Sequence, residues 1–421
     1  MKLDYGASFV IWKVIALLFF PFFLWSFLGG HKQIVLGIST DHLATFFAFL
    51  GAILAIWWTG RFGSQELLAA SLIILMFCSF IVSIFFAIDQ VAAAKNILPH
   101  AIYATIAYGG ALFFRSRLDF FYKMIFLSAF ISSVVVVLSV STLGMGGWGR
   151  ATIPVFFEGK FSYFPTGYES SSDPNVLSYF LYLGALAAIY CRSINSTGKV
   201  FVALLVFAGM LTLSRSGFLA FVVAVISFQL VNLTYNLCSD KSIKVSINWM
   251  LSVVILGGVA FAIAPYFYDL GGMWDTLAER ALDQASNADR FSRLKNTMEV
   301  VLDRPANFFF GHGMGFASET SDPHLLYLST VMDTGLFSLI VFILALVIPA
   351  CQCLCYTKSI RLKAFIVSLL VFFLTISLFY WQVRTYYFFM FLILTIYFHM
   401  AANQRVSSFN TRTSAGVGSE K

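Results

Sequence analysis

The sequence predicts an all-α protein: a polytopic transmembrane helical bundle of about twelve spans with one long polar loop between residues 269 and 323. Three observations carry this expectation. Hydrophobic residues make up 59% of the chain and charged residues 11%, whereas a soluble domain carries about 25% charged residues. The 48 phenylalanines are too many to hide in one water-soluble core of this size, so lipid is the solvent that suits them. The apolar runs are long and continuous, as over Leu67 to Ala87 and Phe120 to Val140. A helix needs about 20 such residues to cross a bilayer, whereas the strands of a barrel would alternate in segments of about ten.

Along the chain the spans are expected at 9–29, 41–58, 66–88, 97–114, 120–143, 173–191, 199–213, 215–233, 248–268, 324–349, 362–381 and 384–401. The first is too long for the apolar region of a signal peptide, and no small-residue cleavage site closes it; it is expected to span. Spans seven and eight meet at Arg215, which implies a sharp turn or a break in one long helix. Two connecting segments are long. Residues 144–172 carry Gly144, Gly146, Gly147 and Gly149, then aromatics and Ser170-Ser171-Ser172. In the second, 269–323, Phe291, Leu294, Met298 and Val301 recur at helical spacing. They predict an amphipathic helix over 289–304, lying on the membrane or packed over the spans, which Pro305 ends. Gly311-His312-Gly313-Met314-Gly315 follows as a turn. Residues 1–401 form the bundle with no flanking soluble domain expected, and 402–421 a short cytoplasmic tail expected to be disordered.

Lysine and arginine in short loops set the orientation of a membrane protein. With both termini inside, the cytoplasmic segments hold Arg61, then Arg115, Arg117 and Lys123, then Arg192 and Lys199, Lys241 and Lys244, Lys358, Arg361 and Lys363, and finally Arg405 and Arg412. The short outer loops hold little beyond Lys32, Lys95 and Arg384. The alternation predicts an even number of spans and puts the long loop outside, which in a bacterial inner membrane is the periplasm. The net charge of +7 is mostly this bias. No basic cluster has a groove-reading motif, so no nucleic-acid partner is expected. No cysteine lies in the long loop, so no disulfide framework is expected there. Cys351, Cys353 and Cys355 alternate in a strand-like spacing at a helix end, which fits no zinc pattern; no metal site is expected.

Three features converge on the outer face. Ser214-Arg215-Ser216-Gly217-Phe218-Leu219 places a charge between two apolar stretches at the boundary. Such a charge marks an anion site, or else a snorkelling side chain or structural ion pair. Arg290 and Arg293 stand one helical turn apart in the loop, either as anion ligands or as a solvated face. His324 follows Asp322-Pro323 at the start of a span, as a base or as an interfacial residue. A guanidinium donates two parallel hydrogen bonds to phosphate. A histidine with its ordinary pKa near 6.5 can take a proton at neutral pH. Together they suit transfer from a lipid diphosphate. Asp269, Asp275 and Asp283 form no aspartate-rich pair for Mg²⁺, and guanidinium groups can stabilise a diphosphate leaving group in its place.

These residues resemble the O-antigen ligase and polymerase superfamily of bacterial envelope glycosyltransferases. The Ser-Arg-Ser-Gly element resembles its arginine motif, and Arg215 with Leu219 fits an Arg-x₃-Leu spacing. The run from Arg290 through Asp303-Arg304-Pro305 to Phe310-Gly311-His312-Gly313-Met314-Gly315-Phe316 is similar to its loop signature. His324 and Gly335 resemble its His-x₁₀-Gly pattern, and Asp173-Pro174-Asn175, opening a span, is similar to an element common among its members. Leu325 stands where a polar residue often follows the histidine, and Leu294 where an aromatic often follows the loop arginine. The motif resemblance covers about 170–340, and the span layout the whole chain.

The resemblance implies a metal-independent, cofactor-free, inverting glycosyltransferase of the inner membrane acting on the periplasmic face. Its donor would be a glycan on undecaprenyl diphosphate. Arg215 and Arg290, with Arg293, would bind the diphosphate, and His324 would be the base or would orient the acceptor hydroxyl. Ser214, Ser216, Asp173 and Asn175 would support them. The acceptor would be another lipid-linked glycan in a polymerase of O-antigen or exopolysaccharide repeat units, or lipid A core in a ligase. A flippase and a chain-length regulator would be partners. The Asp-Pro-Asn element and Leu325 point to a polymerase, Arg-x₃-Leu to a ligase. Transfer to protein is a lesser reading. A transporter or flippase of lipid-linked substrates is the reading from another class. It would favour internal repeats and a midplane charge series, and neither is visible.

Overall fold

The computed structural model describes residues 5–28, 34–35, 38–60, 62–143, 173–190, 196–238, 292, 295–302, 305–317, 326–378 and 383–416. Its helices are α1 (Tyr5–Leu28), α2 (Thr40–Thr59), α3 (Ser64–Ile84), α4 (Gln90–Phe114), α5 (Leu118–Leu143), α6 (Pro174–Tyr190), α7 (Ser196–Leu211), α8 (Arg215–Cys238), α9 (Pro305–Phe310), α10 (Leu326–Tyr356), α11 (Ile360–Ser377) and α12 (Val383–Gly416). Residues 295–302 are helical as well. Among the described residues the strands form a small antiparallel hairpin, β1 (Ile34–Val35) with β2 (Ile38–Ser39). Among the described residues, nine helices are long and apolar enough to cross a membrane; α6 and the Val200–Leu211 part of α7 are apolar but shorter. These eleven correspond to eleven of the twelve expected spans. The twelfth, 248–268, lies outside the described residues, as does the loop at 144–172.

Two helices form the centre. Every residue of α6 from Val176 to Ile189 is buried, and 83% of the apolar window of α12 is buried. Around them the helices meet through small residues and rings. Gly184 of α6 abuts Ala129 of α5, and Gly109 of α4 abuts Ala52 of α2. Phe23 of α1 meets the edges of Phe114, Phe121 and Phe388. Lipid tails are as apolar as leucine, so close backbone approach and packing hold such a bundle together.

One end is tied by the basic residues that set the topology. Arg115 pairs with the buried Glu66 at 2.7 Å, and the other Glu66 oxygen accepts the Gly63 N–H at 2.9 Å. His399 Nδ1 contacts the Arg115 carbonyl at 2.6 Å. Arg361 donates to the Ile189 carbonyl at 2.7 Å, one of the last in α6 and lacking a helical partner. The guanidinium of Arg117 lies 4.1 Å over the Trp12 ring.

After residue 401 the helix α12 continues through Gly416, and residues 417–421 lie outside the described residues. Extending an existing helix adds one hydrogen bond per residue without a new nucleus. Pro305 opens the short helix α9, where its missing N–H costs nothing. In the loop helix the buried positions among 295–302 are Thr297 and Val301, while Met298 is 45% exposed and Leu302 62%. Hydrophobicity marks lipid-facing and protein-facing positions alike.

Candidate active site

The arginine element begins at a tight turn between α7 and α8. Leu213 adopts φ 51°, a left-handed conformation that reverses the chain within three residues. The Leu213 N–H donates to the Met210 carbonyl at 2.9 Å. The turn, rather than a break in one long helix, is what Arg215 marks. Ser214 caps α8: its hydroxyl accepts the Gly217 N–H at 3.3 Å. Arg215 is the first residue of α8, and its side chain is exposed.

The Asp-Pro-Asn element performs the same task for α6. The Asp173 carboxylate accepts the Asn175 N–H at 2.7 Å, and Pro174 occupies the first helical position. The structure brings the two helix starts together. The Ser214 hydroxyl donates to Asn175 Oδ1 at 3.1 Å, and Ser216 and Tyr179 hydroxyls lie 2.9 Å apart. A Cβ on Gly217 would collide with the Ser178 hydroxyl, so glycine lets the two elements close up. Ser214, Ser216, Asp173 and Asn175, separated by some forty residues in sequence, thus form one polar cluster around the base of Arg215. Residues 200–343 match the family model described as O-antigen ligase.

About a third of the chain is thus similar to an O-antigen ligase domain. The match supports a resemblance to the O-antigen ligase and polymerase superfamily over that segment. No curated protein matches the chain. The O-antigen ligase match spans Arg215, Arg290, Arg293, His324 and Gly335. Arg290, Arg293 and His324 lie outside the described residues.

The described parts of the long loop contribute a second structured region. Gly335 interrupts α10 with φ 84° and ψ 170°, and the turn at 311–317 packs against this break. His312 is buried, with Nε2 2.9 Å from Asn307 Nδ2, and its ring stacks on Phe316 at 4.5 Å. Asp333, buried inside α10, accepts the Ala317 N–H at 2.7 Å. It was not among the residues singled out from sequence. The signal was present: Asp333 is the one charged residue in α10, and an ionisable group within a span is a functional candidate by default.

Proposed function

We propose that this glycosyltransferase polymerises glycan repeat units carried on undecaprenyl diphosphate, at the periplasmic face of a bacterial inner membrane. The observation that carries the proposal is the placement of Arg215. It opens α8 as an exposed guanidinium, between two serines pinned to the start of α6. A helix N-terminus carries partial positive charge, and the guanidinium adds a full one with a bidentate fork for phosphate. Arg290 and Arg293 complete the diphosphate site. His324 removes the proton from the acceptor hydroxyl as its oxygen bonds to the anomeric carbon. The bond from that carbon to the phosphate oxygen breaks, undecaprenyl diphosphate leaves with the electron pair, and attack from the opposite face inverts the anomeric centre. The arginines stabilise the charge that develops on the leaving group.

A ligase is the second reading. The description of the matched family and the Arg215–Leu219 spacing favour it, and it differs only in the acceptor. Purified protein supplied with lipid-linked repeat units, with and without lipid A core, separates the two. A ladder of longer lipid-linked glycans is the expected product. Glycan on the core lipid alone would make the protein a ligase, and no transfer to either acceptor would overturn the proposal.

A further inference from the structure

The break at Gly335 divides α10 into a first segment, residues 326–334, and the long span that follows. Carbonyls at the end of a helical segment lack the amide four residues on. Here two of them are taken by the loop. The His312 N–H donates to the Met332 carbonyl at 2.8 Å, and the Gly313 N–H to the Asp333 carbonyl at 2.9 Å. The Asp333 carboxylate holds the far side of the same turn through the Ala317 N–H. Asn96 of α4 donates to the Met314 carbonyl at 3.1 Å. The fit leaves no room for side chains at the crossing: a Cβ on Gly311 would collide with the Asp333 carbonyl, and one on Gly335 with the Phe309 carbonyl. The glycine-rich turn is therefore the C-terminal cap of the first segment of α10. Asp333 joins the two through both its backbone and its side chain.

We propose that Asp333 is a positioning residue for glycosyl transfer, latching the 311–317 turn into the break in α10 and so setting the direction of the segment that begins two residues after His324. The inference rests on the assignment of His324 as the base. A carboxylate oxygen suits the task because it accepts the amide directly while the backbone carbonyl of the same residue accepts a second one. Asp333 is 4% exposed.

Asp333→Ala is expected to speed hydrogen exchange of the 311–317 amides. It should leave KM for the lipid-linked donor unchanged and lower kcat on the order of 100-fold, the scale of a reacting group displaced by about 1 Å. Asp333→Asn keeps the acceptor oxygen and is expected to restore slow exchange and most of kcat. Asn96→Ala releases the turn from its other side at a half-buried position, and so tests the latch without emptying the core. It is expected to shift exchange and kcat in the same direction by smaller factors. Unchanged exchange at 311–317 in Asp333→Ala overturns the latch. Faster exchange with kcat intact in either alanine variant overturns the positioning role. If wild-type protein transfers no glycan, the proposed function fails, while the exchange comparison still decides whether the latch exists.

Discussion

At the scale of single residues, charge inside an apolar protein separates into groups that hold the fold and groups that face outward. Glu66, Asp333 and Arg361 are tied to backbone or to a partner. Arg215 projects from a turn whose neighbouring hydroxyls hold the scaffold. Arg215→Ala is therefore expected to lower transfer by about 100-fold or more, as when one donor to a developing oxyanion is removed. Arg215→Lys restores charge without the fork and should recover only part of that loss. His324→Ala should lose a comparable or larger factor, about 100- to 10,000-fold for a general base. Initial rates with a lipid-linked donor, at matched expression, measure all three, and full activity in the alanine variants would discard both roles. Ser214→Ala should instead cost about 1 kcal/mol of stability through the lost cap, read as a lower midpoint in thermal unfolding. Arg215 was legible in the sequence because a charge between apolar runs is conspicuous. Its surroundings were not, since Asn175 and Tyr179 meet Ser214 and Ser216 only once α6 lies beside α8.

At the scale of elements, the ends of helices carry most of the polar chemistry. Asp173 and Ser214 cap α6 and α8 at one end, while Arg361 serves the last carbonyls of α6 at the other. Glu66 joins α3 to α4 through Arg115, and His399 of α12 reaches the carbonyl of that arginine. Removing one partner of a buried pair leaves the other uncompensated, at a cost of about 3–5 kcal/mol. Glu66→Ala is expected to approach the lower end, because Arg115 keeps 23% of its side chain exposed. The double variant with Arg115→Ala should be less destabilised than the sum of the two single variants. Additive losses in thermal unfolding would remove the pair from the account of stability. The basic residues of these short loops were legible as a topology signal. Their second use as caps was not, because it needs carbonyls from helices distant in sequence.

For the whole molecule, the alternation of charge predicts both termini on the cytoplasmic side. Fusions of a periplasm-active phosphatase after residue 404 and after Leu143 provide the check: the first should be inactive and the second active. The reverse pattern would invert the proposed face of the chemistry. The Glu66, Arg115, Arg361 and His399 contacts gather at one end, and Ala87 in the link between α3 and α4 meets the 311–317 turn at the other.

By itself the sequence determined the solvent, the helical class, the approximate spans and the order of the arginine, glycine-turn and histidine motifs. Each of these depends on local hydrophobicity or on residues close together in the chain. The tertiary structure alone decided which helices are central, which face of the loop helix is buried, and that Asp-Pro-Asn and Ser-Arg-Ser-Gly form one cluster. It also decided that Asp333 ties the glycine-rich turn into the break at Gly335. In lipid an apolar surface does not distinguish neighbour from solvent. The choice of partner is left to close packing and to backbone groups needing hydrogen bonds, and those are satisfied only when segments remote in sequence meet.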